Sequence, residues 1–583
     1  VTSAVAKALE KNGIVEIYEK RVMRDISEDI QSENIGDIIL SDLQENVFNQ
    51  VKNSLYMEKA DCFLLHGVTG SGKTSVFKKL INEVISMGKQ ALLLLPEISL
   101  TPQIVTQFRN LFGNIVTVIH SGLSVGQRLD AFDRIEKGEA KIIIGTRSAV
   151  FAPAKNIGII IMDEEGERSY KSDMSPRYNT VDVAKVRIRY HKAVLLLASA
   201  TPSIESYYLA KKGVYHLIEM NQRYSGLALP EVKIVDMNNE KTFGIDMNFS
   251  ETLINEVNEN LRKCEQSILL LNRRGYHTMM SCVSCGQPVF CPNCSVPMTY
   301  HKKNNKLMCH YCSNIADIPD KCPECGEKKL HMVGFGTQKL EEQIQEIFPK
   351  ARILRMDADT VFSRDSYEKN IKAFENGEYD ILVGTQMVGK GLNFPEVTLV
   401  GVVSVDKSLY TGDFRSYERT FSLITQVVGR GGRSEKKGRA ILQTYMPTHH
   451  VIQLAAKQDY KSFYEEEESL RKQMIFPPVC DLCILGISGE NESQVKNASV
   501  ELISYIKNKL SQIKDKKLPM RILGPAPCTF GKINKKYRYR ILIKCKNTAS
   551  MREFIRDILV NGTKNKSFSG ISVFADMNGD AGI

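Results

Sequence analysis

The chain has 583 residues, and its 78 Lys and Arg against 67 Asp and Glu give a formal charge of +11. It is 43% hydrophobic and 25% charged, with unperiodic Gly and Pro, which excludes collagen-like and disordered classes. The longest apolar runs, 91–95 and 193–200, fall far short of the ~20 residues that a bilayer span needs.

Such a length predicts roughly three to five domains. The chain starts at Val1 without a basic-then-apolar leader, which suggests a trimmed cytoplasmic protein. Fourteen cysteines in that compartment read as metal ligands more readily than as disulfides. The surplus charge is concentrated. Residues 507–540 hold eleven Lys or Arg and one acid, Asp515, so the rest of the chain is nearly neutral. A patch of that kind suits an anionic partner.

In chain order, a helix is expected over Ala4–Lys11 and a strand over Ile14–Ile17. From about 41 to 225, apolar strands alternate with helices, at Phe63–Leu65, Ala91–Leu95, Val116–Ile119, Lys141–Ile144, Ile159–Met162 and Val194–Leu197. That alternation predicts a parallel α/β sheet. The string Gly67-Val-Thr-Gly70-Ser-Gly72-Lys73-Thr74 follows the first strand and opens a helix. Glycines there let backbone N–H groups close around phosphates, Lys73 reaches the β and γ oxygens, and Thr74 offers a hydroxyl to Mg²⁺. Ile159–Met162 then ends in Asp163 and Glu164, a fit for a Mg²⁺-linked acid and a water-activating one.

A second α/β block runs from about 226 to 455 and echoes the first. Nine residues separate Glu136 from Gly145 before Thr146, and Glu375 from Gly384 before Thr385. A duplicated domain is the better reading. Four C-x₂-C pairs are set into this block: Cys282/Cys285, Cys291/Cys294, Cys309/Cys312 and Cys322/Cys325. Two residues between thiols let both reach one tetrahedral ion, so two Cys₄ zinc sites are expected, with an iron–sulfur centre as the alternative. Spacing alone does not choose the pairing. Near the end of the block, Gln426, Arg430 and Arg433 lie on successive turns, where arginines can reach a γ-phosphate held by the first block. An acid-rich helix follows at Tyr464–Arg471, then a mixed strand and helix region. Within it, Lys536, Arg538 and Arg540 would share one face of a strand, with Tyr537, Tyr539 and Ile541 on the other.

These strings appear in the order found in superfamily 2 helicases. Leu95–Gln103, His120–Gly122, Gly145–Ala149, Ser199–Ser203, Leu271–Gly275, Gly384–Met387 and Lys390-Gly391 complete the set. Together with the eight-cysteine insert, the chain resembles the primosomal replication-restart helicase family. The resemblance implies a fold of two RecA-like lobes with a zinc-binding insertion in lobe 2 and an α+β C-terminal domain. The implied boundaries are 1–33 for a remnant of a winged-helix domain, 40–225 for lobe 1 and 226–455 for lobe 2. They continue with 281–327 for the two-zinc insertion and 456–583 for a C-terminal DNA- and partner-binding domain.

By resemblance, Gln44 would read adenine, and Gly67, Gly70, Gly72, Lys73 and Thr74 would cradle phosphate and Mg²⁺. Asp163 and Glu164 would serve hydrolysis, Ser199 and Thr201 would couple it to lobe movement, and Gln426, Arg430 and Arg433 would sense the γ-phosphate. Thr146, Arg147 and Thr385 would lie along the nucleic acid. Tyr170, Lys171, Arg177 and Tyr178 match an aromatic-rich loop that links single-stranded DNA to ATP turnover. The zinc pairing implied is nested, Cys282/285/322/325 and Cys291/294/309/312. The chain departs from the family pattern at Gly166, Asn179, Leu392, Asn393 and in Asp576-Met577-Asn578.

The activity implied is ATP-driven, 3′→5′ DNA unwinding at forks. Its partners would be single-stranded DNA, the acidic tail of single-strand-binding protein, and primosome or helicase-loading proteins near the bacterial nucleoid. A weakened binding scaffold and a divergent repair or RNA helicase are the rival readings.

Overall fold

The computed structural model describes residues 3–17, 38–96, 102–224, 230–243, 249–271, 278–282, 289–293, 298–301, 305–308, 314–328, 330–333, 337–356, 364–384, 394, 396–409, 413–429, 437–512 and 519–579. Strands of continuous apolar residues need cover on both faces, and the first sheet has it. Its order is Val116–Ile119, Ile142–Gly145, Gln90–Leu94, Ile157–Asp163, Val194–Ser199, Asp61–Gly67 and His216–Met220. Every neighbouring pair is parallel. The six expected strands are present, and His216–Met220 is a seventh that the sequence reading missed. Its half-buried pattern explains the omission, since an edge strand shows no apolar run.

One face of this sheet packs under the helices Asp42–Tyr56, Lys73–Ser86 and Pro102–Phe112, in a core that includes Leu65, Phe77 and Ile161. The core on the other face, with Leu64, Ile160 and Leu195, continues into the second block through Phe421, Ile424 and Val428. The second sheet runs Ile353–Met356, Ile381–Gly384, Gln266–Leu271, Val397–Ser404, Arg439–Thr444 and Glu231–Asp236, again all parallel. Counted in chain order within each block, both sheets read 3-4-2-5-6-1, and the first adds a seventh strand at its edge. The echo of Glu136 and Glu375 falls on equivalent places. Each closes a helix, Val125–Glu136 or Arg364–Glu375, ahead of strand four of its block.

Between strands two and three of the second sheet lies a five-stranded antiparallel insertion that holds Cys282, Cys291, Cys322 and Cys325. The C-terminal sheet, Arg521–Ile533, Lys536–Cys545, Asp481–Gly489 and Ser572–Met577, is antiparallel. Helices Glu492–Gln512 and Ala549–Val560 close its core. The turn of its hairpin touches the insertion, where Lys535 N–H donates to the Asn293 carbonyl at 3.1 Å and the Lys532 ammonium donates to that of Pro292. The acid-rich helix extends over Tyr460–Met474 and docks on both blocks. Its Tyr460 hydroxyl donates to Pro202 O at 2.7 Å, and its Phe463 ring stacks on Phe421 at 4.2 Å.

The fold expectation of two RecA-like lobes, a cysteine-rich insertion and an α+β C-terminal domain holds. At the N-terminus the helix Ser3–Lys11 forms, but Ile14–Ile17 is not a strand. Strands need a partner ladder, and Ile14, Val15 and Ile17 stay exposed with none among the described residues. Most of the winged-helix remnant lies outside the described residues. No helix among those described is long and apolar enough to cross a membrane.

Candidate nucleotide and nucleic-acid site

The strand Asp61–Gly67 delivers Gly67 to the carboxyl edge of the first sheet, and the helix Lys73–Ser86 leaves from it. Gly70 and Gly72 hold φ of 83° and 80°, backbone that favours glycine. The Lys73 ammonium donates to Gly67 O at 2.9 Å, across the mouth of the loop. Thr74 is exposed in the first turn. Gln44 is fully buried. Its amide donates to Ser71 O at 3.0 Å and Gly72 O at 3.4 Å, and its oxygen accepts from Ser41 N–H at 3.0 Å. In this conformation it braces the phosphate loop, a role that the adenine-reading expectation did not include.

Asp163 and Glu164 end the neighbouring strand, where Asp163 Oδ1 accepts from Glu164 N–H at 3.1 Å. Glu164 adopts φ 47°, a left-handed conformation that costs a non-glycine residue on the order of 1 kcal/mol and tends to mark functional positions. The Ser199 hydroxyl donates to Glu164 Oε2 at 2.9 Å and accepts from Thr201 N–H at 3.1 Å. From the second lobe, Gln426 Nε2 comes within 3.5 Å of the same Glu164 oxygen.

The helix Ser416–Val428 carries Gln426, and its C-cap Gly429 rests directly on the phosphate loop. A Cβ on Gly429 would stand 2.7 Å from Thr69 Oγ1, so only a glycine allows this approach. The hydroxyls of Thr69 and Ser71, both able to donate, are buried without a hydrogen-bond partner among the described residues. Buried polar atoms rarely stay unpaired, so a nucleotide's phosphates fit this cradle. Arg430 and Arg433 lie outside the described residues, as does Thr385.

Two further residues belong to the site and were missed in the sequence. Arg223 is 7% exposed, lies along Gly70, and points Nη2 at Gly429 O at 3.4 Å. An arginine after an edge strand carries no motif that would have flagged it. Glu165 is buried beside the catalytic candidates and accepts from Ser203 N–H (2.6 Å), Ser206 Oγ (2.9 Å) and Ser203 Oγ (3.2 Å). Burial pushes its carboxyl up to about 7 against those three hydrogen bonds. The departure at Gly166 fits this packing, since a Cβ there would meet Ser203 N and Thr201 O at 3.3 Å.

The aromatic-rich loop corrects one expectation. Tyr170 does not face nucleic acid: it is 2% exposed, and its hydroxyl lies 2.9 Å from Leu94 O and 2.8 Å from Asp163 O. A ring needed to satisfy two strand-end carbonyls is a core strut. The Arg147 guanidinium donates to Lys171 O at 2.7 Å, while Thr146 is buried. Tyr178 meets the exposed Phe151 edge-on at 4.8 Å. Lys171 and Arg177 both turn toward buried Asp576 of the last strand, at 2.5 Å and 3.7 Å, and Arg177 lies 3.9 Å over the Phe574 ring. Asn179 caps the helix Thr180–His191 by accepting from Val181 N–H.

In the insertion, the thiols of Cys282, Cys322 and Cys325 lie within 4.8 Å of one another, which suits a tetrahedral thiolate site. Cys285, Cys294, Cys309 and Cys312 fall outside the described residues, and Cys291 is buried. Lys536 is exposed, Arg538 and Arg540 are half-buried, and Tyr537 and Tyr539 pack on the C-terminal core.

The chain matches the DEAD/DEAH box helicase family over residues 41–209 and the helicase conserved C-terminal domain over 326–435. It also matches the PriA DNA helicase Cys-rich region over 291–314 and the primosomal protein N C-terminal domain over 472–577. The replication restart protein PriA of Bacillus subtilis (strain 168) is 40% identical over 577 residues, covering 99% of this chain and 71% of that protein. PriA of Synechocystis sp. is 38% identical, covering 93% and 65%, and that of Chlamydia muridarum is 38% identical, covering 96% and 74%. Two matched helicase lobes meeting at one phosphate loop, with a cysteine insert and a C-terminal domain found in primosomal proteins, place this chain in the PriA family of replication-restart DNA helicases.

Proposed function

We propose that the chain hydrolyses ATP to move 3′→5′ along single-stranded DNA, unwinding forked DNA and starting primosome assembly. The observation that carries this reading is the contact of Gly429, the cap of the Gln426 helix in one lobe, with Thr69 in the phosphate loop of the other. Nucleotide bound there makes closure of the lobes depend on its γ-phosphate. Lys73 would neutralise the β and γ oxygens, and Thr74 with Asp163 would hold Mg²⁺. Glu164, oriented by Ser199, would take the proton of the attacking water. Arg430 and Arg433 would stabilise the charge that develops as the γ-phosphoryl leaves. Gln44 would serve the adenine from its place behind Gly72, and Gln426 would sense the γ-phosphate. Thr201 would relay lobe movement.

Thr146, Arg147 and Thr385 would line the DNA path. Phe151 offers an exposed ring on which a base would stack, backed by the half-buried Tyr178, and Lys171 and Arg177 would report that contact to the nucleotide site. Two Zn²⁺ would be held by Cys282/285/322/325 and Cys291/294/309/312, shaping the insertion without taking part in the chemistry. The division into lobes at 40–225 and 226–455, with 456–583 as the DNA- and partner-binding domain, belongs to the same reading. Lys536, Arg538 and Arg540 would meet phosphates or the acidic tail of single-strand-binding protein, and helicase-loading proteins would follow, in the cytoplasm near the nucleoid.

Steady-state ATPase with and without single-stranded DNA tests the reading. Stimulation is expected in the wild type and loss of about 10²-fold or more in kcat for Lys73→Ala. A wild type that DNA does not stimulate, or that RNA stimulates equally, overturns it.

A further inference from the structure

Glu418, Ser422 and Gln426 stand at i, i+4 and i+8 on the helix Ser416–Val428, so they form one stripe along about 12 Å of its axis. Each reaches the first lobe. Glu418 Oε1 accepts from Ile204 N–H at 3.0 Å, Ser422 Oγ lies 2.8 Å from Thr201 Oγ1, and Gln426 approaches Glu164. Ile204 opens the helix Ile204–Lys211, and the preceding Ser203 N–H is held by Glu165. Two carboxylates therefore grip adjacent N–H groups at the start of one helix, where the helix dipole favours negative charge. One of them stands next to Glu164 in the chain. The other is fixed to the opposite lobe.

The second oxygen of Glu418 bonds to Arg471 at 2.7 Å. Arg471 is 1% exposed, the largest fully buried side chain among the described residues. It is held further by Glu467 at 2.8 Å, Glu205 at 3.4 Å and the Pro477 carbonyl at 3.2 Å. Glu205 in turn takes Arg415 at 2.9 Å. A buried ionic group of this kind adds little net stability against an apolar substitute but does fix one geometry. The carboxylates that surround Arg471 come from the first lobe, the second lobe and its own helix, which leads into the C-terminal domain.

The geometry points to Glu418 and Arg471 as positioning residues for ATP turnover: together they set the rotation and axial register of the Gln426-bearing helix against the first lobe. A rotation by one residue, about 100°, would carry all three side chains of the stripe off the first lobe at once. The inference rests on the proposed helicase activity, because what it positions is the approach of Gln426 to Glu164. Arg471 touches neither nucleotide nor Glu164. It acts through Glu418.

The test measures DNA-stimulated ATPase, ATP KM and thermal unfolding of the full chain for Glu418→Gln and Glu418→Asp. Gln keeps the acceptor for Ile204 N–H but loses the charge facing Arg471. Its kcat is expected to fall by about ten-fold or more, since small misplacements of a reacting group have large effects, with KM within about two-fold because the phosphate loop is untouched. Asp, one methylene shorter, should fall between Gln and wild type. If Glu418→Gln does not fold, Ser422→Ala is held to the same split, with kcat down about three-fold, the worth of one neutral hydrogen bond. A lower melting temperature with kcat and KM unchanged in these variants overturns the inference. Absence of DNA stimulation in the wild type instead overturns the helicase reading itself.

Discussion

Glu165 has no cation among its hydrogen-bond partners, only a backbone N–H and two serine hydroxyls. With its carboxyl raised from the ordinary 4.5 to about 7 by burial, the folded chain keeps a proton between those values that the unfolded chain has lost. Its stabilising contribution is therefore complete below pH 4.5 and is lost as pH rises through 7. Glu165→Gln should match the wild type near pH 4 and be more stable at pH 8, by on the order of 3 kcal/mol, as read from thermal melts at both values. Residues of this kind were only half legible. The string Asp163-Glu164 shows in sequence because its neighbours lie in the same strand. The role of Glu165 depends on Ser203 and Ser206, and that of Glu418 on a helix more than 200 residues away, which no local pattern records.

Among elements, the aromatic-rich loop shows what a motif match can and cannot tell. The resemblance marked it as a functional loop, but a motif match does not say which rings turn inward, and Tyr170 does. Its cations do not point freely to solvent either. The last strand, Ser572–Met577, presents Asp576 to Lys171 and Arg177. Burial pushes the Asp576 carboxyl up, and the two cations work against that. Asp576→Asn should uncouple the loop from the C-terminal sheet and lower the ratio of DNA-stimulated to basal ATPase by at least about five-fold, the lower end of typical coupling between sites. An unchanged ratio would mean that the loop works without the clamp. The acid-rich helix, expected over Tyr464–Arg471, runs over Tyr460–Met474, and its Glu467 and Arg471 are buried where it packs on the two lobes.

Across the whole molecule, the duplication was legible from one short echo, because helix end, strand and loop recur in both lobes with the same strand order. The basic surplus was legible as a location but not as a surface. Of Lys536, Arg538 and Arg540 only Lys536 is exposed, and Gly486 pairs with Arg540 across the ladder. Neutralising Lys536, Arg538 and Arg540 together should weaken single-stranded DNA binding. It should also flatten the log–log salt dependence by about 0.7 for each phosphate that is no longer neutralised, measured by anisotropy titration at several salt concentrations. A slope equal to that of the wild type would assign these cations to the solvated surface.

The turn of that same hairpin rests on Pro292 and Asn293 of the cysteine insertion. The insertion springs from the second lobe, the hairpin belongs to the C-terminal sheet, and that sheet holds the aromatic-rich loop of the first lobe through Asp576. These parts form a closed linkage, and a closed linkage of stiff pieces cannot turn at one joint alone. If the lobes rotate, some other joint must yield. Among the described residues the thinnest is the hairpin turn, one backbone hydrogen bond and one lysine, against the buried ion pairs and stacked rings elsewhere. A motor built this way would convert lobe rotation into a gap between insertion and hairpin, beside the most basic stretch of the chain.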